Sequence, residues 1–233
     1  ALPKQVRYVV TDAYYTKTLI TEAILEKGLH QIGKLRHDAN LRYLYQGPQK
    51  AKGRPRQYDG KFKLGETARL SFVAHQEGVD IYTAVVNCVH LKQAIRLVYV
   101  EKKLAQGTKR ALLFSTDTSL DALSLYRYYQ ARFQIEFLFR DAKQFTGLGD
   151  CQARSEQALY NHFNASFTAL NLLKWQDRQM SPQRTPISIA SWKRRCFNVL
   201  FMERIFSNSA FDLSFIKSTP AYHDLCNFGE IKY

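Results

Sequence analysis

The stretch YQARFQIEFLFRDAK, residues 129–143, combines a carboxylate with several cations and a phenol at regular spacing. Its polar residues follow the pattern Y-x2-R-x3-E-x6-K, with the four positions occupied by Tyr129, Arg132, Glu136 and Lys143. On one helix, which turns about 100° per residue, Tyr129, Glu136 and Lys143 would lie within about 40° of one another. Arg140 follows Glu136 by one turn. Such a stripe predicts a surface that holds a polyanion against a metal ion.

The other side of the same helix is predicted to be apolar, and we expect it to be buried through Phe133, Phe137, Leu138 and Ala142. The charges also fit a solvated helix face that is stabilised by Arg/Glu pairs one turn apart. Spacing alone leaves both interpretations open.

Composition favours a polyanionic partner. The chain has 233 residues, 45% of them hydrophobic, and 34 Lys plus Arg against 20 Asp plus Glu, which gives a net charge of +14. Nucleic acid fits this charge best. No apolar run reaches the roughly 18 residues that a membrane helix requires, so a membrane partner is not expected. The four cysteines are far apart and show no zinc-binding spacing, which indicates reduced thiols.

The chain begins with a pattern typical of a parallel strand-helix-strand unit. Residues 6–11 (VRYVVT) predict a strand that ends at Asp12, residues 16–27 a helix, and residues 30–35 a second, parallel strand. Polar groups at the carboxyl ends of such strands face the ligand crevice. Asp12 is therefore a candidate functional carboxylate.

A basic segment with few acidic residues follows. Residues 34–63 contain nine Lys or Arg against two Asp, with glycines, prolines and three tyrosines interspersed. Cations and aromatic rings on a loop suit phosphate contact and base stacking. The predicted DNA contacts are Lys50, Lys52, Arg54 and Arg56. A solvated loop that merely keeps the protein in solution is the alternative.

The remaining elements are predicted from periodicity. Four β-rich runs indicate antiparallel strands at residues 69–76, 79–90, 95–101 and 110–115. A helix N-cap is predicted within residues 116–119, followed by one helix or two joined near Phe133, at 120–132 and 134–145. Further helices are predicted at 155–176 and 187–206, joined by a polar link at 176–186.

The order of these features resembles a known family. A strand ending in Asp12, a β-rich stretch and then a helix carrying Glu136 is similar to the DDE transposases of bacterial insertion sequences, whose third catalytic acid lies in a Y-x2-R-x3-E-x6-K motif. VTDAYY around Asp12 looks like the region of their second acid. The resemblance implies an α/β, ribonuclease-H-like core with an inserted antiparallel β-rich segment and C-terminal helices. The implied segments are 1–37 (core), 38–117 (basic loop and insertion), 118–150 (motif helices) and 151–233 (helical region).

The resemblance also implies chemistry. Asp12 and Glu136 would be catalytic ligands of Mg²⁺, with Mn²⁺ as an alternative, in DNA strand cleavage and strand transfer at insertion-sequence ends. Tyr129, Arg132 and Lys143 would contact DNA near the cleaved phosphate, and we add Arg140 to this set. The implied partners are double-stranded DNA, both element ends and target, and a second copy of the chain. The implied location is the bacterial cytoplasm, at the nucleoid.

One departure from the family pattern concerns the first of its three catalytic acids. Eleven residues precede Asp12 and none is acidic. We therefore expect the chain to be the C-terminal portion of a transposase, without the opening core strands and inactive alone. Substitution by Asp117, Asp121 or Asp141 is not expected. The alternatives are a non-catalytic DNA-binding remnant and a scaffold that binds RNA or a protein.

Overall fold

The computed structural model describes residues 5–180, 188–207 and 213–230. The chain divides into two compact units, Ala1–Phe133 and Gln134–Tyr233. The first is a mixed α/β unit with a largely antiparallel sheet, and the described part of the second is helical. No helix within the described ranges is long and apolar enough to cross a membrane.

The first unit begins with the predicted strand-helix-strand motif. Strand β1 (Tyr8–Val10) is followed by helix α1 (Thr18–Glu26) and strand β2 (His30–Leu35). The two strands pair in parallel, with Tyr8 opposite His30. Their β-branched and aromatic residues suit extended backbone, and Gly28, at a φ of +70°, allows the chain to leave α1 for β2. The prediction for this part of the chain is confirmed.

The four predicted antiparallel strands are also present. They are β5 (Ser71–Gln76), β6 (Val79–Cys88), β7 (Gln93–Leu104) and β8 (Gly107–Ser115). Strand β8 pairs with β2, with Ile32 opposite Ser115, so these strands continue the sheet that begins with β1. The order across the sheet is β1-β2-β8-β7-β6, followed by two strands from the basic segment, while β5 pairs with β6.

The basic segment is more regular than predicted. It contains β3 (Leu41–Leu44) and β4 (Tyr58–Lys61), which pair with each other, and β3 also pairs with β6. Leu41, Tyr43 and Phe62 are buried in the same core cluster, so alternate apolar residues anchor the segment to the sheet despite its charge. The longest irregular stretch of the segment, residues 45–57, is the connection between β3 and β4.

The sheet has an apolar cluster on each face, as a period of two residues requires. Leu97 and Tyr99 point to one cluster while Val98, between them, points to the other. Leu113 of β8 lies in the same cluster as Val98, and there the fully buried Leu125 joins it from a helix packed on that face. Side chains from the strands and from this helix thus form the core on that face together.

That helix is α2 (Ala122–Ala131), and its N-cap is Asp121, whose carboxylate accepts a hydrogen bond from the Ser124 amide at 2.9 Å. The N-cap predicted within residues 116–119 was wrong. Asp117 is engaged elsewhere, because its carboxylate accepts hydrogen bonds from the Tyr8 hydroxyl and from Ser119.

The motif helix is interrupted after α2. The amides of Arg132 and Phe133 donate to carbonyls three residues earlier, at 3.2 Å each, which tightens the last turn. The next helix, α3 (Gln134–Phe145), begins after this break and belongs to the second unit. Of the two arrangements expected, two helices joined near Phe133 is the one found.

The described part of the second unit contains α3 and four further helices: α4 (Glu156–Met180), α5 (Ile189–Phe206), α6 (Leu213–Lys217) and α7 (Pro220–Cys226). Ala142, Leu148, Leu170 and Ile189 form its buried cluster. The predicted helices are present, but α4 continues to Met180 into the predicted polar link. The rest of that link, and the start of the helix predicted at 187, lie outside the described residues. All four cysteines of the chain are unbridged thiols, as expected.

Candidate functional site

Asp12 lies at the carboxyl end of β1, as the sequence predicted. The Thr11 amide continues the pairing by donating to the Ile32 carbonyl at 2.8 Å, and Asp12 then caps a short 3₁₀ helix, Ala13–Tyr15. Its Oδ1 accepts a hydrogen bond from the Tyr14 amide at 3.0 Å. The side chain is exposed to solvent. The turn therefore fixes the direction of the carboxylate, while one of its oxygens has no hydrogen bond within the described chain.

Gln31, a fully buried residue of β2, supports this turn. Its amide nitrogen donates to the Thr11 hydroxyl at 2.8 Å and to the Tyr15 carbonyl at 3.1 Å, while its oxygen accepts from the Thr21 hydroxyl at 2.6 Å. One side chain thus holds both ends of the segment that carries Asp12. The sequence interpretation missed Gln31. A glutamine inside a predicted strand of the core was the available signal, because a buried amide needs partners.

Tyr129 and Arg132, two of the predicted motif residues, lie near Asp12 within the first unit. Burial raises the pKa of Tyr129, and the Asp12 carboxylate raises it further. The Arg132 guanidinium, which is hydrogen-bonded to the Tyr129 hydroxyl, lowers that pKa. Tyr129 also packs on the apolar cluster that contains Leu125. The fold thus brings together a carboxylate, a phenol and a guanidinium from positions more than a hundred residues apart.

Glu136, Arg140 and Lys143 lie on α3, in the second unit. Glu136 is in the first turn and Lys143 in the last turn, and both are exposed. Seven residues separate them, which places them on one side of this helix. The guanidinium of Arg140 contacts the Asp141 carboxylate at 3.2 Å and lies 4.8 Å from the centre of the Phe137 ring.

Two expectations about the motif helix were wrong. Tyr129 does not share a helix with Glu136, because the helical segment is interrupted between α2 and α3. The four motif residues therefore do not form a stripe on a single helix. The predicted apolar face is also only partly buried. Ala142 is fully buried and Leu138 partly, whereas Phe133 and Phe137 remain 50% and 38% exposed. Ile135 and Phe139 are exposed as well.

All four predicted DNA contacts in the basic connection between β3 and β4 are exposed to solvent, but one of them is paired within the chain. Lys50, Lys52 and Arg54 are exposed and form no ion pair among the described residues. Arg56 is engaged within the chain, because its guanidinium binds the Asp59 carboxylate at 2.5 Å and the Tyr58 carbonyl at 3.1 Å. It remains a predicted DNA contact by sequence, but its side chain has a structural role here.

Each tyrosine ring of the basic segment has one face covered, so that face is not available for stacking with a base. Each ring is covered by an arginine of the chain itself: Tyr43 by Arg69, Tyr45 by Arg56 and Tyr58 by Arg42, at 4.0, 4.5 and 5.3 Å from the ring centres. Tyr43 is in addition buried. These cation–π contacts stabilise the hairpin, and the segment's exposed chemistry is its cations.

The other acids near the motif have structural partners. Burial raises the pKa of Asp117, but hydrogen bonds from Ser119 and Tyr8 and the nearby His30 outweigh it and lower the pKa to about 2. Asp121 caps α2. Within the described ranges, no three His, Cys, Asp or Glu residues are grouped as metal ligands. His162, in the second unit, contacts the Gly147 carbonyl at 2.9 Å.

Comparison with known families adds an independent observation. Residues 1–172 match the family model described as the transposase DDE domain. The match covers β1 to β8, α2, α3 and most of α4, and so includes every predicted site residue. No curated protein matches the chain.

Proposed function

The chain belongs to the transposase DDE domain family, and from this membership we propose that its protein cuts DNA at the ends of an insertion sequence and joins the freed 3′ ends to target DNA. The net charge of +14 supports DNA as the partner. One observation links the proposal to particular residues: in the first unit, Tyr129 interacts with both Asp12 and Arg132. Tyr129 and Arg132 are motif positions.

Asp12 and Glu136 are the proposed metal ligands. Carboxylate oxygens suit Mg²⁺ or Mn²⁺, and Asp12 fits this role because it is exposed, fixed by the Tyr14 amide and has a second oxygen available. When bound, such an ion supplies positive charge to the attacking and leaving oxygens of the phosphate. Glu136 is exposed in the first turn of α3, so its carboxylate is accessible from solvent.

The cations of the motif are proposed to contact DNA. Tyr129 interacts with both the Asp12 carboxylate and the Arg132 guanidinium, and we propose that this guanidinium contacts a phosphate of the DNA that Asp12 helps to cleave. Lys143 is exposed on the side of α3 that carries Glu136. Arg140 is the weakest member of the set, because Asp141 already neutralises part of its charge.

We also propose that the parallel motif of β1, α1 and β2, together with the motif helices, forms a ribonuclease-H-like core. In this proposal residues 1–37 and 118–150 are the core, 38–117 the β-rich insertion and 151–233 the helical region. The parallel pairing of β1 with β2 supports the assignment. The active complex is proposed to contain two copies of the chain.

Metal binding can be tested without relying on activity. With Fe²⁺ in place of Mg²⁺, ascorbate and peroxide generate radicals that cut the polypeptide close to the bound ion. We expect cuts near Asp12 and near Glu136, which Asp12→Asn and Glu136→Gln remove. Glu22→Gln and Glu156→Gln, at two other exposed acids, should leave the pattern unchanged. Cutting that is unaffected by the first two variants would refute the assignment of the ligands.

A second candidate function is DNA binding without cleavage by these 233 residues. The charge of the chain and the exposed cations between β3 and β4 favour it. Nicking of supercoiled plasmid distinguishes the two candidates. Nicking that requires Mg²⁺ or Mn²⁺ and is abolished by Glu136→Gln supports catalysis by this chain. Tight plasmid binding with no nicking in either metal supports the second candidate.

A further inference from the structure

The connection between β3 and β4 is closed at its base by a side chain. The Gln49 amide donates to the Arg56 carbonyl and accepts from the Arg56 backbone amide, at 2.8 Å each. The Tyr45 hydroxyl donates to the Pro48 carbonyl at 3.0 Å. Gln49 and Arg56 therefore face each other across the base, and six residues, 50–55, project beyond them. We call these six residues the tip.

The base is also fixed to the sheet. The Asp59 carboxylate, on β4, binds the guanidinium of Arg56 at 2.5 Å and that of Arg69 at 2.6 Å. Arg56 in turn covers the Tyr45 ring. Arg56 therefore stabilises the base, whereas Lys50, Lys52 and Arg54 of the tip are exposed and form no ion pair among the described residues.

The tip itself is narrow, basic and exposed. Its sequence is K-A-K-G-R-P, in which cations at every second position alternate with small residues. Gly53 has a φ of +100°, which favours glycine, and no atom lies within 4 Å of the point where a Cβ would be. The tip contains no acidic residue. It combines three positive charges with a minimum of side-chain bulk between them.

The alternation of cations with small residues in the tip suits one groove of DNA better than the other. The major groove, about 12 Å wide, is typically filled by a helix or a two-stranded ribbon, whereas the minor groove is about 6 Å wide. A·T-rich tracts narrow the minor groove further and deepen its negative potential, which attracts arginine. The 2-amino group of guanine projects into this groove and obstructs a chain that lies along its floor.

We propose that the tip enters the minor groove of A·T-rich DNA, with Arg54 directed into the groove and Lys50 and Lys52 contacting the phosphates on its edges. This inference rests on the proposed function only in taking double-stranded DNA as the partner. It adds the groove that is contacted and the class of sequence that is preferred. The catalytic acids have no part in it.

Inosine substitution tests the groove directly. An I·C pair presents the minor groove of an A·T pair, because it lacks the 2-amino group, but keeps the major-groove pattern of G·C. Binding of the 233-residue chain is measured, at one low salt concentration, to duplexes of equal length that are A·T-rich, G·C-rich or G·C-rich with inosine for guanine. We expect the A·T and I·C duplexes to bind about tenfold more tightly than the G·C duplex.

Variants assign the preference to the tip. Arg54→Ala should reduce the preference to near unity, and Arg54→Lys should retain overall affinity while weakening the preference, because lysine keeps the charge without the planar guanidinium. Lys27→Ala, at an exposed lysine after α1, is the matched control and should change nothing. Circular dichroism verifies that each variant is folded.

Each outcome has a separate meaning. Equal affinity for the I·C and G·C duplexes, or a preference that survives Arg54→Ala, would overturn the minor-groove assignment while leaving DNA as the partner. Failure to bind any of the three duplexes at low salt would overturn DNA binding itself, and the proposed function with it.

Discussion

Replacing Asp117 with asparagine is expected to destabilise the first unit because this carboxylate joins the end of β8 to the start of β1, two strands that flank β2 and are far apart in sequence. Asp117 follows β8 and accepts a hydrogen bond from the hydroxyl of Tyr8, at the start of β1, at 2.8 Å. It also accepts hydrogen bonds from the amide and hydroxyl of Ser119, at 2.9 and 2.6 Å. The side chain is buried, so water does not replace these partners.

The pKa of Asp117 sets the size of the effect. Folding lowers it from the ordinary 3.8 to about 2. A difference of this size contributes about 2.5 kcal/mol to the free energy of unfolding at pH 7. Because the folded-state pKa is depressed, the contribution is complete above about pH 5 and is lost as the pH falls toward 2. At pH 3, the same two pKa values leave about 1.3 kcal/mol.

Chemical denaturation at pH 7 and pH 3 measures both quantities. Both tryptophans of the chain, Trp175 and Trp192, lie in the second unit, so the first unit is followed by circular dichroism of the sheet and by hydrogen exchange at β1 and β2. Asp117→Asn should lose about 2.5 kcal/mol at pH 7, and its difference from the unmodified chain should be about half as large at pH 3.

Asp121→Asn is the matched control. Asparagine caps a helix as well as aspartate does, so this variant should lie within about 0.5 kcal/mol of the unmodified chain at pH 7. A loss below about 0.5 kcal/mol for Asp117→Asn would refute the assigned role of the carboxylate. An equal loss at the two pH values would show that asparagine disturbs packing and that the charge is not responsible.

Three further variants test the support of the site and its contact with DNA. Gln31→Leu removes the amide that holds the Asp12 turn and leaves buried polar partners unsatisfied, so chemical denaturation should show a loss of at least about 2 kcal/mol. Gly33→Ala would place a Cβ 2.8 Å from the buried Phe114 ring, and the same measurement should show a loss of about 1–3 kcal/mol; an unchanged midpoint would mean that the ring can move. Lys143→Ala should lower DNA affinity and reduce the slope of log K against log salt by about 0.9 with no change in stability, whereas lost stability with unchanged binding would make the residue structural.

The local elements follow closely from the sequence. β-Branched runs gave β1, β2 and β5 to β8, and apolar periodicity gave α4 and α5, because both patterns describe how a segment buries one side of itself. The position of Asp12 at the end of a strand and the spacing of the motif residues predicted the DDE transposase family, and the family match over residues 1–172 confirms the family. Strands β3 and β4 were missed because their charge and glycine content outweighed two buried positions, Leu41 and Tyr43.

Where the motif residues lie in space was decided by tertiary structure. The spacing predicted that Tyr129 and Glu136 lie on one helix. Instead, α2 ends at Ala131, and the next two backbone amides donate hydrogen bonds to carbonyls three residues earlier. No local pattern shows that Gln31 holds the Asp12 turn, since its partners come from three separate segments. The bond between Tyr8 and Asp117 spans 109 positions.

The basic segment shows the same division between sequence and structure. The positive charge of the segment and its interruption by glycine and proline are properties of composition, and they can be seen in the sequence. Only the folded hairpin decided that Asp59 and the tyrosines engage Arg56, while Lys50, Lys52 and Arg54 stay exposed. A charged side chain pairs with whichever group lies within a few ångströms of it. Strand pairing determines those distances, because it brings together residues that are far apart in the sequence.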